Sequence, residues 1–182
     1  MNFADLFDYD PETGLLTWKV RRSNRVAIGQ VAGAKQINHS DKAYRRHYLH
    51  VRLAQGTFLV HRIIWEIMTG TPVPAGLQID HIDNDGTNNR WANLRLGSRS
   101  QNMGNRSRNR SRKYDLPKGV GFHNRDCLYY GRLCDHTVKY SKDIAIAEAA
   151  YNQAAREHYG DFAKPDDGSE TSVDGGDNRL RQ

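Results

Sequence analysis

The sequence predicts an α+β protein made of small modules, not one large domain. Three observations carry this. Only 37% of the 182 residues are apolar, which is low for a single large core. Short runs with a period of two, broken by Gly, Pro, Asn and Asp, recur along the chain and read as strands. Strand-like stretches are followed by helical spacing at HRIIWEIMTG and again at DIAIAEAAYNQAAREHYGDFA.

The elements follow in order. DYDPETGLLTW (8–18) reads as turn chemistry and then a strand, punctuated by Pro11 and Gly14. YLHVRLAQGTFLVH (48–61) reads as a hairpin turning near Gln55-Gly56. Leu49, Val51 and Leu53 give it an apolar face, and Tyr48, His50 and Arg52 a polar one. A helix over 61–70 should place Ile63, Ile64, Ile67 and Met68 on one side, with Gly70 as its stop. TPVPAGL is an extended link, GLQID a short strand and NLRL (93–96) a second strand, with a polar loop between them.

Ser98 and Gln101 have the spacing of a capping box, so a helix of two or three turns should run through Asn102 toward Asn105. NRSRNRSRK (105–113) is basic and of low complexity, and reads as a mobile linker in the absence of an anion. A second module begins near Lys118, with strands in GVGFHNR, LYYGRLC and TVKYS. Its closing helix should present Ile144, Ala147, Tyr151, Ala154 and His158 as one stripe. The expected division is a β-rich region over 1–75, a motif core over 76–108, a linker over 109–117, the second module over 118–164 and a disordered acidic tail over 165–182.

The formal charge is +6 and the pI about 9.4, which calls for an anionic partner. The charge is also segregated. Trp18–Thr57 holds nine Lys or Arg and one acid, and Arg95–Lys113 holds seven and none. Five acids against two Arg follow Pro165. Such segregation is the footprint of a nucleic-acid binder. Cys127 and Cys134 are expected to be free thiols, since no four-ligand Cys/His spacing exists. The acidic, polar start is not a signal peptide, and no apolar run is long enough to span a membrane.

The segment IDHIDNDGTNNRWANL (79–94) packs three Asp, one His and four Asn together. Read as an EF-hand loop with Gly86 at position 6, it would put His81 at position 1 and Ala92 at position 12, where carboxylates are required. The calcium reading fails at both ends. A polar surface loop accounts for NDGTNN but not for Asp80-His81 after Leu77 and Ile79.

The wider pattern is Asp80-His81, eleven residues, Asn93-Leu94, seven residues, Asn102, two residues and Asn105. His61-Arg62, GLQIDH and NNRWANLR flank it. Over about residues 5–108 this resembles the HNH nuclease family, in the phage homing-endonuclease branch where Asn replaces the last His. The resemblance implies a ββα-metal (His-Me finger) core that hydrolyses phosphodiester bonds of double-stranded DNA. It also implies one divalent ion, Mg²⁺ or Mn²⁺, and action in the cytoplasm of a phage-infected bacterium.

The residue types suit that chemistry. His81 is the member of the set that can take a proton near neutral pH, and the family implies that it is the general base toward water. Asp80 and Asn102 offer oxygen ligands to a hard cation. Neighbouring strand side chains point to opposite faces, so His81 must reach round from the strand end. Asn93 resembles the family's middle Asn, which implies a hydrogen bond to backbone across the loop that fixes His81. Asn105 is expected at phosphate, behind the metal ligands or as a solvated helix residue, and Arg106, Arg108 and Arg110 at DNA. Asp83 and Asp85 read as loop formers, and His61 as a packed or capping residue. His39, His47 and His50 read as surface or DNA-facing groups.

Residues 119–164 resemble the DNA-binding domain of plant ethylene-response factors, through Gly119-Val120 and AEAAYNQAAREHYGDFA. Tyr129-Tyr130 stands where that family usually has Trp. The resemblance implies a small three-strand-and-helix domain that reads DNA from outward strand residues, with His123, Arg125, Arg132 and Lys139 as candidates. Otherwise His123, His136 and His158 read as surface or structural groups. Expected is a metal-dependent DNA endonuclease acting as a monomer or weak dimer, most simply nicking one strand. The rivals are a non-catalytic DNA-binding regulator, against which the intact Asp80, His81, Asn93 and Asn102 set argues, and an RNA-directed protein.

Overall fold

Asp10 starts the first turn by accepting from Glu12 N and the Thr13 hydroxyl, and Gly14 closes it at φ 76°. This turn joins strand β1 (Phe7–Asp10) to β2 (Leu15–Trp18), so the residues before Pro11 also form a strand. A computed structural model describes residues 2–22, 26–35, 48–106 and 115–164, and the chain forms two compact units, 1–106 and 107–182.

In the first unit, β3 (Ala34–Lys35), β4 (Leu49–Leu53) and β5 (Gly56–Leu59) make an antiparallel sheet. Helix α1 (Val60–Thr69) follows β5 and ends at Gly70 in the left-handed conformation, φ 70°. Val60, Ile63 and Ile64 of α1 are buried against Phe3, Phe7, Leu16, Trp18, Val51, Leu53 and Leu94. Filling that core with side chains worth about 1.5–3 kcal/mol each fixes how the hairpins sit on α1. Met68 departs from the expected apolar side: it is 40% exposed, because the core reaches only the first two turns and part of Ile67.

Strands β6 (Leu77–His81) and β7 (Leu94–Ser98) pair antiparallel, and α2 (Arg99–Gly104) follows directly. The Ser98–Gln101 capping box is present in both directions. At six residues, α2 is shorter than the two or three turns expected, and Asn105 is its C-cap.

In the second unit, β8 (Val120–His123), β9 (Leu128–Leu133) and β10 (His136–Ser141) form an antiparallel sheet in the order β10-β9-β8. Helix α3 (Ile144–Tyr159) crosses one face. Gly131 permits the approach: a Cβ there would lie 2.6 Å from Ala147 O. The buried stripe of α3 is Ala147, Tyr151, Ala155 and Tyr159, a spacing of four. Ala154 and His158 are displaced from it by one residue, a third of a turn, because the large rings of Tyr151 and Tyr159 select the buried face.

Both cysteines are free and exposed. No helix among the described residues is long and apolar enough to cross a membrane. Residues 107–114 and 165–182, which hold most of the expected linker and the acidic tail, lie outside the described residues.

Candidate active site

β6 ends at His81, and the two residues that close it are both buried, Asp80 at 4% and His81 at 4% exposure. They line an open cleft of about 290 Å³ together with Tyr48, Gln78, Asn84, Arg99, Asn102 and Arg106. The strand end answers the alternation problem, and both side chains reach one cleft.

The charge of Asp80 is balanced from two sides. Arg95 stands directly across the β6–β7 ladder. Its Nε and Nη2 each lie 3.0 Å from Asp80 Oδ2, and Asn105 Nδ2 donates to the same oxygen at 2.9 Å. Among the described residues Oδ1 carries no hydrogen bond. Asn105 also donates to His81 O at 2.8 Å. It is 2% exposed and its amide is engaged, so its place is behind Asp80 and not at a surface that meets DNA.

Asn102 donates through Nδ2 to Gln78 Oε1 at 3.2 Å, while its Oδ1 is buried with no hydrogen-bond partner among the described residues. Asn84 Oδ1, on the same cleft, is orphaned in the same way. A buried acceptor without a donor costs about 1–3 kcal/mol unless something satisfies it. Asp80 Oδ1 and two orphaned amide oxygens on one cleft are a hard-cation donor set, and they fit a divalent ion with several waters.

The loop from Ile82 to Asn93 is built by its own polar side chains. Asp83 accepts from Asp85 N, Asn88 Nδ2 and Asn93 Nδ2, and Asp85 from Thr87 N and the Thr87 hydroxyl. Burial pushes the Asp85 carboxyl up, but the Thr87 donors, with Lys35 and His81, outweigh it and hold it below the usual range. Asn93 clasps the loop: Oδ1 accepts from Asp83 N at 3.1 Å, Nδ2 donates to Asn88 O at 2.8 Å, and its carbonyl accepts from Ile82 N. It touches the loop beside His81 and not His81 itself.

The side chain hydrogen-bonded to the His81 ring is Asn89, with Oδ1 3.1 Å from Nε2. His61 and Tyr48 wall the other side. The His61 and His81 rings meet edge to face at 5.2 Å, and Tyr48 lies 5.2 Å from His61 and 5.8 Å from His81. His61 packs and does not cap α1. Burial first, then His81, Arg62 and His50, push its imidazole down to about 3, so it stays neutral. Sequence reading missed Asn89, Arg95, Tyr48 and Arg99. Only the fold brings Tyr48 and Arg99 to the cleft, Asn89 to the His81 ring and Arg95 to Asp80.

Arg108 and Arg110 lie outside the described residues, whereas Arg106 lines the cleft. In the second unit the β8–β9 register puts His123 and Arg132 on the face turned from α3, with Arg125 exposed in the connecting turn. Lys139 pairs with Gly131, which faces α3, so it belongs to the other side of the sheet. A bulge between Thr137 and Lys139 moves it there. Tyr130, whose ring lies over Gly121, and Tyr140 at 5.9 Å share the outward face with Arg132.

The hairpin, the loop and the helix that present a carboxylate, an imidazole and an amide to one cleft have a counterpart among known proteins. Residues 58–104 match the HNH endonuclease family. Protein 3.8 of Escherichia phage T7 is 31% identical over 108 residues, 57% of this chain and 87% of that one. That family match takes in 47 of the 182 residues, among them Asp80, His81, Asn93 and Asn102. An uncharacterized HNH endonuclease of Acanthamoeba polyphaga mimivirus is 29% identical over 110 residues, 60% of this chain, and the chain spans 58% of its length. A solved structure of the DNA-cleaving HNH homing endonuclease I-HmuI aligns over 55% of this chain and 51% of that one, at 24% identity and a TM-score of 0.37.

Proposed function

We propose that this protein is a divalent-metal-dependent DNA endonuclease of the phage homing type, acting as a monomer that nicks one strand per visit in a phage-infected bacterium. The observation that carries the reading is the cleft itself. A buried Asp80 with one oxygen engaged and one open lines it together with Asn102, whose Oδ1 is orphaned, and with His81. The match of residues 58–104 to the HNH endonuclease family supports nuclease chemistry at that cleft.

Each residue then has a task. His81 takes the proton from a water whose oxygen attacks phosphorus as the P–O bond to the leaving sugar oxygen breaks, and that oxygen takes a proton from solvent. Asp80 and Asn102 hold the ion, Mg²⁺ or Mn²⁺, which when bound supplies charge relief at the phosphate and the leaving oxygen. Arg99 and Arg106 line the cleft where phosphate would lie and attract it. Arg95 and Asn105 hold the Asp80 carboxylate in one orientation, and Asn93 holds the loop. The second unit is read as a DNA-binding module of ethylene-response-factor type. Its outward sheet face, with Arg132 and His123, meets the groove, and the basic stretch with Arg108 and Arg110 follows the phosphates.

The test is a supercoiled plasmid incubated with purified protein and Mg²⁺ or Mn²⁺, with the source phage or host sequence included. Open circles should form, chelator should stop them, and Asp80→Asn should slow them by at least about 10-fold. Tight binding with no cleavage under any divalent ion would instead favour a non-catalytic DNA-binding protein.

A further inference from the structure

Asn89 is buried to 2% exposure in the loop after His81, and no step above uses it. Its amide faces two groups. Nδ2 donates to Thr87 O at 3.3 Å, and Oδ1 stands 3.1 Å from His81 Nε2. Turning the amide over would set Oδ1 against the Thr87 carbonyl, two acceptors facing each other. With Oδ1 toward the ring, Nε2 must carry the hydrogen. A neutral imidazole then keeps its lone pair on Nδ1. Nδ1 makes no hydrogen bond among the described residues, and His81 lines the cleft.

Asn89 is itself held from behind by the turn between β1 and β2. The Tyr9 hydroxyl donates to Asn89 O at 2.8 Å, and Trp91 N donates to Pro11 O at 3.1 Å. Gly14 packs so closely that a Cβ would lie 2.7 Å from Asn89 C and 2.5 Å from Arg90 N. The turn and the loop therefore meet backbone to backbone, with no room for a side chain between them. The contact joins residues about eighty positions apart, far outside the nuclease motif.

We propose that Asn89 is a positioning residue: clamped by the Asp10–Gly14 turn, it holds His81 as the Nε2–H tautomer and leaves Nδ1 as the atom that receives the proton. The role rests on His81 as the base of the proposed nuclease, but the tautomer can be measured without cleavage.

The measurement is the long-range ¹⁵N–¹H spectrum of the histidine rings in the full chain without metal, about two pH units above the ordinary histidine value of ~6.5. Wild type should give one Nε2–H pattern for His81. Asn89→Asp keeps an acceptor at the same place and should keep the pattern. Asn89→Ala should let the ring average both tautomers, and kcat for nicking should fall by about 10- to 100-fold with KM little changed. An Nδ1–H or averaged pattern in wild type, or an unchanged pattern in folded Asn89→Ala, would overturn the clamp. If Asn89→Ala fails to fold, the wild-type and Asn89→Asp spectra decide by the same criteria. A locked tautomer in a protein that cuts no DNA would refute the nuclease and leave the clamp standing.

Discussion

His61 shows what one residue's burial does to the stability of the site. Its imidazole titrates at about 3 in the fold against 6.5 in model compounds. Below pH 6.5 the unfolded chain binds a proton that folded His61 refuses, so stability falls as pH drops from 6.5 toward 3. At pH 5 the loss from this group is about 2 kcal/mol, from about 1.4 kcal/mol per pH unit. At 7% exposure little of it is screened. His61→Phe removes the titration and the orphaned Nδ1, and urea midpoints from pH 7 to 4.5 should flatten relative to wild type. Parallel pH curves for the two proteins would refute the assignment.

Arg95 makes the complementary case. Removing it leaves the 4%-exposed Asp80 without its cation, which costs about 3–5 kcal/mol. Arg95→Met should therefore lower Tm sharply, and Mg²⁺ should return part of the loss by taking up the freed carboxylate charge. Asp80, His81 and Asn102, which the fold brings to one cleft, could be singled out in the sequence because their spacing is a linear motif. Arg95 was not, since its pairing with Asp80 depends on a strand register that no spacing reveals. Asn89 looked like turn chemistry for the same kind of reason: what distinguishes it, Tyr9 and Gly14, lies about eighty residues away.

Among the elements, α2 concentrates the most function in the least structure. Six residues cannot hold a helix on their own. The Ser98–Gln101 capping box and the run straight out of β7 hold it, and with it Asn102 and the Asn105 cap. Ser98→Ala should cost about 1 kcal/mol in unfolding experiments. Nicking should fall further than that loss explains, because Asn102 and Asn105 shift together. A variant with the stability loss and wild-type nicking would show that α2 needs no cap to place them. The box was readable because it is local chemistry over four positions. The α3 face was misread by one position because Ala154 and Ala155 are equal in propensity, and only packing of Tyr151 and Tyr159 selects between them. Lys139 was misassigned because a bulge is invisible in a strand pattern.

At the scale of the whole molecule, the core from Phe3 to Leu94 lies entirely within the first unit. A chain ending at Arg106 should fold, keep the cleft and still nick. It should bind DNA more weakly and with a shallower dependence on salt, since fewer phosphates are neutralised. Undiminished affinity and site preference would remove the second unit from the DNA interface. The two-module plan was legible from composition and from the two helical runs. As the proposed base, His81 should be needed for nicking and not for binding. Nicking and DNA binding by wild type and His81→Ala, measured side by side in Mg²⁺ or Mn²⁺, test it most directly. Lost nicking with affinity within a few-fold of wild type is expected; nicking at the wild-type rate by His81→Ala would rule out His81 as the base.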